Sequence, residues 1–326
     1  MSQTLSPSHS QAAPQAAGLK PGTTVRKAGI TRSFDAARVM ALHRLVAPSR
    51  KTRILDVGAN PANPPPYARF MALGLAEVWG FEPDAGAHGA LEASKGPDEH
   101  YLQAALGDGQ EGRLHRFGWD TLGSLLPPNT ARNAAVLGQF GQALALRGAE
   151  PCQTRRLDDL PDLPPPDLLK IDVQGAEAMI LRHGRGKLAA TGAVMAEVAF
   201  QPIYADQPLF GVVTDELAGQ GFTFHRMDFT AHYALGSPFL NRLAAPPSRS
   251  QAIDGDALYL REAYLTEGAA LPDSEPLRHL ALITDAVFGS LDATCRILWL
   301  LDAQAGLDPE ALDAYLTLID AQTGHS

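Results

Sequence analysis

The sequence predicts an α/β protein: a mostly parallel sheet with helices on both faces, followed by a helical appendage. Three observations predict this. Between residues 33 and 262, short apolar runs recur without strict polar alternation, as in strands covered on both faces. Helix-period stretches separate them, so strand, helix and strand repeat, which implies parallel pairing through crossovers. Beyond residue 266 the strand pattern stops and three helix-period stretches follow.

In chain order, residues 1–32 are rich in Ser, Gln, Ala, Pro and Gly. They offer too little apolar surface to offset the entropy of ordering, so a flexible tail is expected. The main domain is expected over 33–265, with about seven strands in its sheet. Strand-like runs fall at 53–57, 77–82, 101–106, 112–118, 167–172, 193–199, 222–228 and 256–261. Helix-like stretches fall at 34–47, 66–74, 129–146, 175–183 and 208–220. The C-terminal helical extension, 266–326, opens at Ser274-Glu275-Pro276, where a capping residue, an acid and an early proline start a helix. Leu277, Leu280, Thr284, Val287, Phe288 and Leu291 follow at helical spacing. A second helix is expected over 291–304, with Gly306 just past its end. Asp308-Pro309-Glu310 opens a third, whose Leu312, Tyr315, Leu316 and Ile319 form an apolar stripe. These stripes mark a packing or dimerisation element, and a homodimer through them is one expectation.

Bulk properties narrow the function. The 326-residue chain has a net charge of -9, and its 27 Lys and Arg form no clustered run, which argues against a nucleic-acid footprint. Cys152 and Cys295, the two cysteines, have neither metal nor disulfide-framework spacing, as expected in a reducing compartment. No apolar run is long enough to span a membrane, and no signal-peptide pattern opens the chain. A cytoplasmic protein without a membrane span is therefore expected.

The chemistry concentrates at strand ends. In Leu168-Leu169-Lys170-Ile171-Asp172-Val173-Gln174-Gly175-Ala176-Glu177, a buried strand ends in acidic and amide groups and turns at Gly175 into a helix. Ligands of open α/β sheets sit at such carboxyl ends. Arg53-Ile54-Leu55-Asp56-Val57-Gly58-Ala59-Asn60 repeats the layout, its glycine permitting close approach of a ligand to the backbone. Glu82-Pro83 closes the next strand, where a carboxylate accepts hydrogen bonds from both hydroxyls of a ribose. Leu106-Gly107-Asp108 ends another strand in a small-residue turn, which reads either as an adenine border or as a plain β-turn. After Gly58 the chain lacks the G-x-G-x-x-G pattern, which disfavours a dinucleotide oxidoreductase.

Together these segments resemble the class I S-adenosylmethionine-dependent methyltransferases, and more closely the FkbM family. The resemblance rests on Leu55–Asn60, Gly80-Phe81-Glu82-Pro83, Arg156-Leu157-Asp158-Asp159-Leu160 and above all Leu169–Glu177. It continues through Glu197–Tyr204 and Gln207-Pro208-Leu209-Phe210 and spans roughly residues 50–262. It implies a Rossmann-like, seven-stranded methyltransferase sheet, S-adenosyl-L-methionine as cofactor, and O-methylation of a hydroxyl on a glycan or natural product. Carried over residue by residue, Asp56, Val57, Gly58, Ala59 and Asn60 would flank the methionine part of the donor. Glu82 and Pro83 would hold the ribose, and Leu106, Gly107 and Asp108 would border the adenine. Asp172 would face the donor methyl and the acceptor. The chain departs from the pattern after Gly58, where Pro61, Pro64, Pro65, Pro66 and Tyr67 make a stiff segment.

A sugar hydroxyl is a weak nucleophile and needs a base. Asp172 is placed for this, and Glu197, at the end of the next strand, could share the cleft as a second catalytic carboxylate. The same pair holding a divalent metal is an alternative, but two carboxylates without a clear third ligand leave it poorly supported, and no metal is expected. Gln174, Glu177, Tyr204 and His225 are candidate contacts to a small-molecule or glycan acceptor. Glu177 equally suits the start of its own helix, and Tyr204 equally suits packing. The rival reading is a methyltransferase-fold binding module that has lost its chemistry and docks a partner through the C-terminal helices.

Overall fold

The computed structural model describes residues 26–29, 34–118, 122–137, 141, 144–243, 248–268 and 273–323. In these residues the strands are β1 (Arg26–Gly29), β2 (Thr52–Val57), β3 (Ala76–Phe81), β4 (Glu99–Leu102), β5 (Ala105–Leu106), β6 (Glu111–Phe117), β7 (Leu146–Arg155), β8 (Leu168–Ile171), β9 (Ala193–Ala199), β10 (Phe222–Tyr233) and β11 (Gln251–Arg261). The α-helices are α1 (Ala36–Val46), α2 (Ala68–Ala72), α3 (Ala85–Ser94), α4 (Thr130–Val136), α5 (Glu177–Arg182), α6 (Phe210–Ala218), α7 (Glu275–Ile283), α8 (Leu291–Ala305) and α9 (Pro309–Thr323). The tail expected over 1–32 lies outside the described residues except for Arg26–Gly29, which pairs antiparallel with β10.

The main sheet has the order β1-β10-β11-β9-β8-β2-β3-β4. Strands β9, β8, β2, β3 and β4 run parallel, while β11 is antiparallel to both of its neighbours. Seven of these strands form the expected sheet, and β1 adds a short eighth at the edge. The alternation of a pleated strand explains the two cores. Ile54, Val78, Leu168, Met195 and Leu258 point to one face, under α1 and the C-terminal helices. Leu55, Phe81, Leu169, Val194 and Tyr259 point to the other face, which they share with buried residues of α5 and α6. Both faces are covered, so the strands read as apolar runs in the sequence.

A small second sheet, ordered β5-β7-β6, adjoins the carboxyl end of the main one. Here two expectations need correction. The helix expected over 129–146 begins as α4 (Thr130–Val136) and Gly141 is helical as well, but Leu146 already belongs to β7. There pairing with β6, which sets Phe117 opposite Leu146, overrides the helix-friendly local composition. The single strand expected over 101–106 is two strands, because β4 pairs with β3 while β5 pairs with β7 in the other sheet. Helix α3 escaped sequence reading because Gly86 and Gly89 dilute its pattern, although Asp84 caps it by accepting from the Ala87 amide at 2.8 Å.

The C-terminal helices form where the sequence places them. Their apolar stripe is spent on the chain's own core: Leu277, Leu280, Val287, Phe288 and Tyr315 are fully or almost fully buried against α1 and the sheet. Of the large apolar side chains on α8 and α9, Trp299 and Leu316 remain exposed. Among the described residues no helix is long and apolar enough to cross a membrane.

Candidate active site

The candidate site lies at the carboxyl ends of β2, β3, β8 and β9, where three tight connections meet. Gly58 sits in the left-handed region, at φ 84°. A Cβ there would lie 1.9 Å from the backbone oxygen of Asp172, so only glycine lets the loops after β2 and β8 approach this closely. The amides of Gly58 and Ala59 both donate to the Phe81 carbonyl at 3.0 Å, tying this loop to β3 as well. Beside it opens a cleft lined by Val57, Gly58, Phe81, Pro83, Ala105 and Leu106, with Leu114, Gly123 and Leu125 from the second sheet and its following loop. Its walls are largely apolar, as an adenine ring requires.

Glu82 stands next to this cleft with 8% of its surface exposed. One carboxylate oxygen accepts from the Asp84 amide at 2.8 Å. Burial raises its pKa to about 7, with the negative charge of Asp84 adding to the rise and Lys170 opposing it. Asn60 is exposed and accepts from the Ala62 amide at 2.9 Å, closing a local turn at the start of the proline-rich loop. Gly107 is held by the Arg155 carbonyl at 2.9 Å, and Asp108 is turned toward the Gln110 amide at 2.9 Å. Asp108 thus shapes the turn, while buried Leu106 faces the cleft.

Asp56 is directed into the protein. Its carboxylate accepts from the Tyr67 hydroxyl at 2.6 Å and pairs with the Lys170 ammonium at 3.0 Å. Sequence reasoning missed both partners. The signal for Lys170 was a cation inside the otherwise apolar run Leu168-Leu169-Lys170-Ile171, and for Tyr67 an aromatic at the end of the proline run.

Beyond β8 the chain turns sharply, with Gln174 at φ 58° and Gly175 at φ 109°. The turn brings the Gln174 side-chain amide between two carboxylates. Its Nε2 donates to Asp172 at 3.0 Å and to Glu197 at 2.8 Å. Its Oε1 lies 2.9 Å from the Tyr204 hydroxyl, which also has the Leu122 carbonyl at 3.2 Å and donates to one of them at a time. The Ser124 hydroxyl donates to the Gln174 carbonyl at 2.6 Å and fixes the turn from the far side. Burial pushes the Glu197 carboxyl well above the usual range, and the nearby charges of Asp172, Asp254, Glu177 and Asp256 push it further. The register of β11 explains the last of these, because Asp256 stands directly opposite Glu197.

The remaining expected contacts divide. Glu177 accepts from the amides of Val173 and Gly175 at 3.0 Å, so its carboxylate braces its own turn; burial raises its pKa to about 7. Tyr204 is fully buried against Phe117, ring centroids 5.5 Å apart. His225 lies elsewhere, contrary to expectation. Its Nε2 is 2.9 Å from the hydroxyl of Ser290, which precedes α8. The neighbouring pair Phe224 and Tyr259 lies level with Val194, near the start of β9 rather than at its carboxyl end. In Arg156–Leu160, Leu157 and Leu160 are buried and Asp158 accepts from the Lys187 amide at 2.7 Å, a structural role. Among the described residues no group of three or more His, Cys, Asp or Glu side chains is arranged to hold a metal ion.

Comparison with known proteins shows the family. The methyltransferase FkbM domain matches residues 56–224, a little over half of the chain. The 2-O-methyltransferase NoeI of Sinorhizobium fredii (strain NBRC 101917 / NGR234) is 30% identical over 179 residues, covering 50% of this chain and 70% of that protein. Among solved structures, magnesium protoporphyrin IX methyltransferase (ChlM) from Synechocystis PCC 6803 shares 13% identity over 69% of this chain and 78% of that one, at a TM-score of 0.30. Precorrin-6y C5,15-methyltransferase from Geobacter metallireducens GS-15 shares 10% over 70% and 93%, at a TM-score of 0.33. Likenesses this loose bear on neither mechanism nor substrate. The family match carries the identity: the chain belongs to the FkbM family of methyltransferases, enzymes whose methyl donor is S-adenosylmethionine.

Proposed function

We propose that the protein methylates a hydroxyl oxygen, on a sugar unit of a glycan or natural product, with Asp172 as the general base. The observation that carries this reading is the Gln174 amide, which holds Asp172 and Glu197 together at the carboxyl ends of adjacent parallel strands, beside the cleft. The residues present fit the donor. Gly58 lets the loops after β2 and β8 close together beside the cleft, Glu82 presents a carboxylate for a ribose diol, and the wall at Phe81 and Leu106 suits an adenine. Bound there, S-adenosylmethionine supplies an electrophilic methyl carbon.

The protein's part is positioning and proton handling. Holding the acceptor oxygen in line contributes on the order of 7–11 kcal/mol in well-oriented systems. Asp172 takes the hydroxyl proton as the new bond forms. Glu197, its carboxyl held well above the usual range by its burial and its acidic neighbours, offers a hydrogen bond to a second oxygen of the acceptor and so favours a polyhydroxylated molecule. The activity of the relative NoeI, 2-O-methylation, supports an oxygen acceptor.

The test is a screen of methyl glycosides with S-adenosylmethionine, following release of S-adenosylhomocysteine. With an accepted glycoside, Asp172→Asn is expected to lower kcat by about 10²–10⁴-fold while S-adenosylhomocysteine binding stays within a few-fold. Glu197→Gln keeps a neutral donor and should retain most activity near neutral pH. Wild-type turnover by Asp172→Asn would sink the base assignment.

A further inference from the structure

Lys170 is a buried cation in the middle of β8 that the mechanism above does not use. Its ammonium lies 3.0 Å from the Asp56 carboxylate and donates to the Gly58 carbonyl at 3.0 Å. Burial would by itself depress this ammonium, but the charges of Asp56 and Asp172 outweigh it and hold the group protonated above the ordinary lysine range. A buried cation with two such partners is a device for fixing them. Asp56 stands near the end of β2 and Gly58 opens the loop that follows, and Gly58 has no slack, since its missing Cβ would strike the Asp172 backbone.

We propose that Lys170 is the residue that positions the amino-acid end of the methyl donor. It does so by locking the Gly58 carbonyl and the Asp56 carboxylate in place between β2 and β8. The proposal rests on the reading that seats the donor over Gly58 with its ribose at Glu82. Without the ammonium, Asp56 is left buried with only the Tyr67 hydroxyl, and the Gly58 carbonyl loses its donor. The loop then shifts at the methionine end, while the ribose and adenine walls on β3 and β5 stay as they are.

Two probes separate these ends. S-adenosylhomocysteine carries the amino-acid part, and 5′-methylthioadenosine lacks it but keeps the sulfur and the nucleoside. Calorimetric titration of Lys170→Met is expected to show at least ten-fold weaker S-adenosylhomocysteine binding, with 5′-methylthioadenosine within two-fold of wild type. Lys170→Arg, which keeps the charge, should recover most of the loss. Lys170→Gln, which keeps a hydrogen-bond donor, serves if the Met variant does not fold, with thermal unfolding reporting on the fold in each case. Equal losses for both probes would reduce Lys170 to a structural residue and overturn the proposal, as would no loss for either. Glu82→Ala should weaken both probes alike; if it weakens neither, the donor does not sit in this cleft and the underlying reading fails first. Because binding is read rather than turnover, the result stands apart from whether Asp172 is the base.

Discussion

Glu82 shows how one residue's environment sets its chemistry. A carboxylate grips a ribose diol only when ionised, yet burial raises this one to about 7. Donor binding is therefore expected to strengthen as pH rises through about 7, because the free enzyme must lose a proton from Glu82 to form the contact. Calorimetry of S-adenosylhomocysteine from about pH 6 to 8.5 checks this, with the Glu82→Gln variant losing the pH dependence. Glu82→Ala is expected to weaken binding ten-fold or more at pH 8, about 1.4 kcal/mol or above. Gln174 makes a complementary point. Its spacing from Asp172 placed it among acceptor contacts, but its amide is engaged by Asp172, Glu197 and Tyr204. The sequence could not show this, since Glu197 and Tyr204 reach it from a strand and a loop more than 20 residues away.

At the scale of elements, the C-terminal helices are the clearest case. Arg38 on α1 donates to Asp285, just after α7, at 2.7 Å, and Tyr315 on α9 donates to the same carboxylate at 2.6 Å. All three residues are at most 1% exposed. The triad cross-links three helices inside the core, and breaking a buried pair costs about 3–5 kcal/mol because it strands a charge. Asp285→Asn should destabilise the protein by that order, measured by urea unfolding at neutral pH. Replacing the partner as well, in Arg38→Met with Asp285→Leu, should recover much of the loss, since a buried ion pair is weak evidence of net stabilisation. A destabilisation of Asp285→Asn below about 1 kcal/mol would mean that these helices contribute little to the fold. The apolar stripes of these helices were plain in the sequence. That they face α1, rather than a second chain, was not.

For the whole molecule, the acidic end of the sheet has a price in stability. Glu197 is raised well above the usual range, and Glu82 and Glu177 are raised to about 7. A carboxyl raised in the folded state binds its proton there more tightly than in the unfolded chain. Its stabilisation is complete below the unfolded value of about 4.5 and is lost as pH rises through the folded value. The lowered histidines, His43, His225 and His279, act oppositely but only below about 6.5, where the unfolded chain begins to charge them. As pH rises from about 4.5 to about 7 these carboxyls should therefore lower the thermal stability of the ligand-free protein, the histidines opposing this below about 6.5, and Glu197→Gln should lose less over the same range. Scanning calorimetry of the two proteins across that range is the check, and parallel curves would remove Glu197 from the cause.

Much of the architecture could be read directly. Parallel strands buried on both faces impose apolar runs, and ligand sites at their carboxyl ends impose acids and glycines just after those runs. Asp56, Gly58, Glu82, Asp172 and Glu197 could be placed at the carboxyl ends of their strands for that reason. The sequence by itself determined the alternation of strand and helix, the positions of the tight turns and the family signature, because these are local or periodic properties. Tertiary structure decided the rest: that Lys170 and Tyr67 take up Asp56, that Gln174 joins two carboxylates, that Glu177 braces its own turn, and that His225 lies beneath the C-terminal helices. Each depends on contacts between residues brought together only when the sheet order is set, and strand order follows from packing that no local pattern encodes.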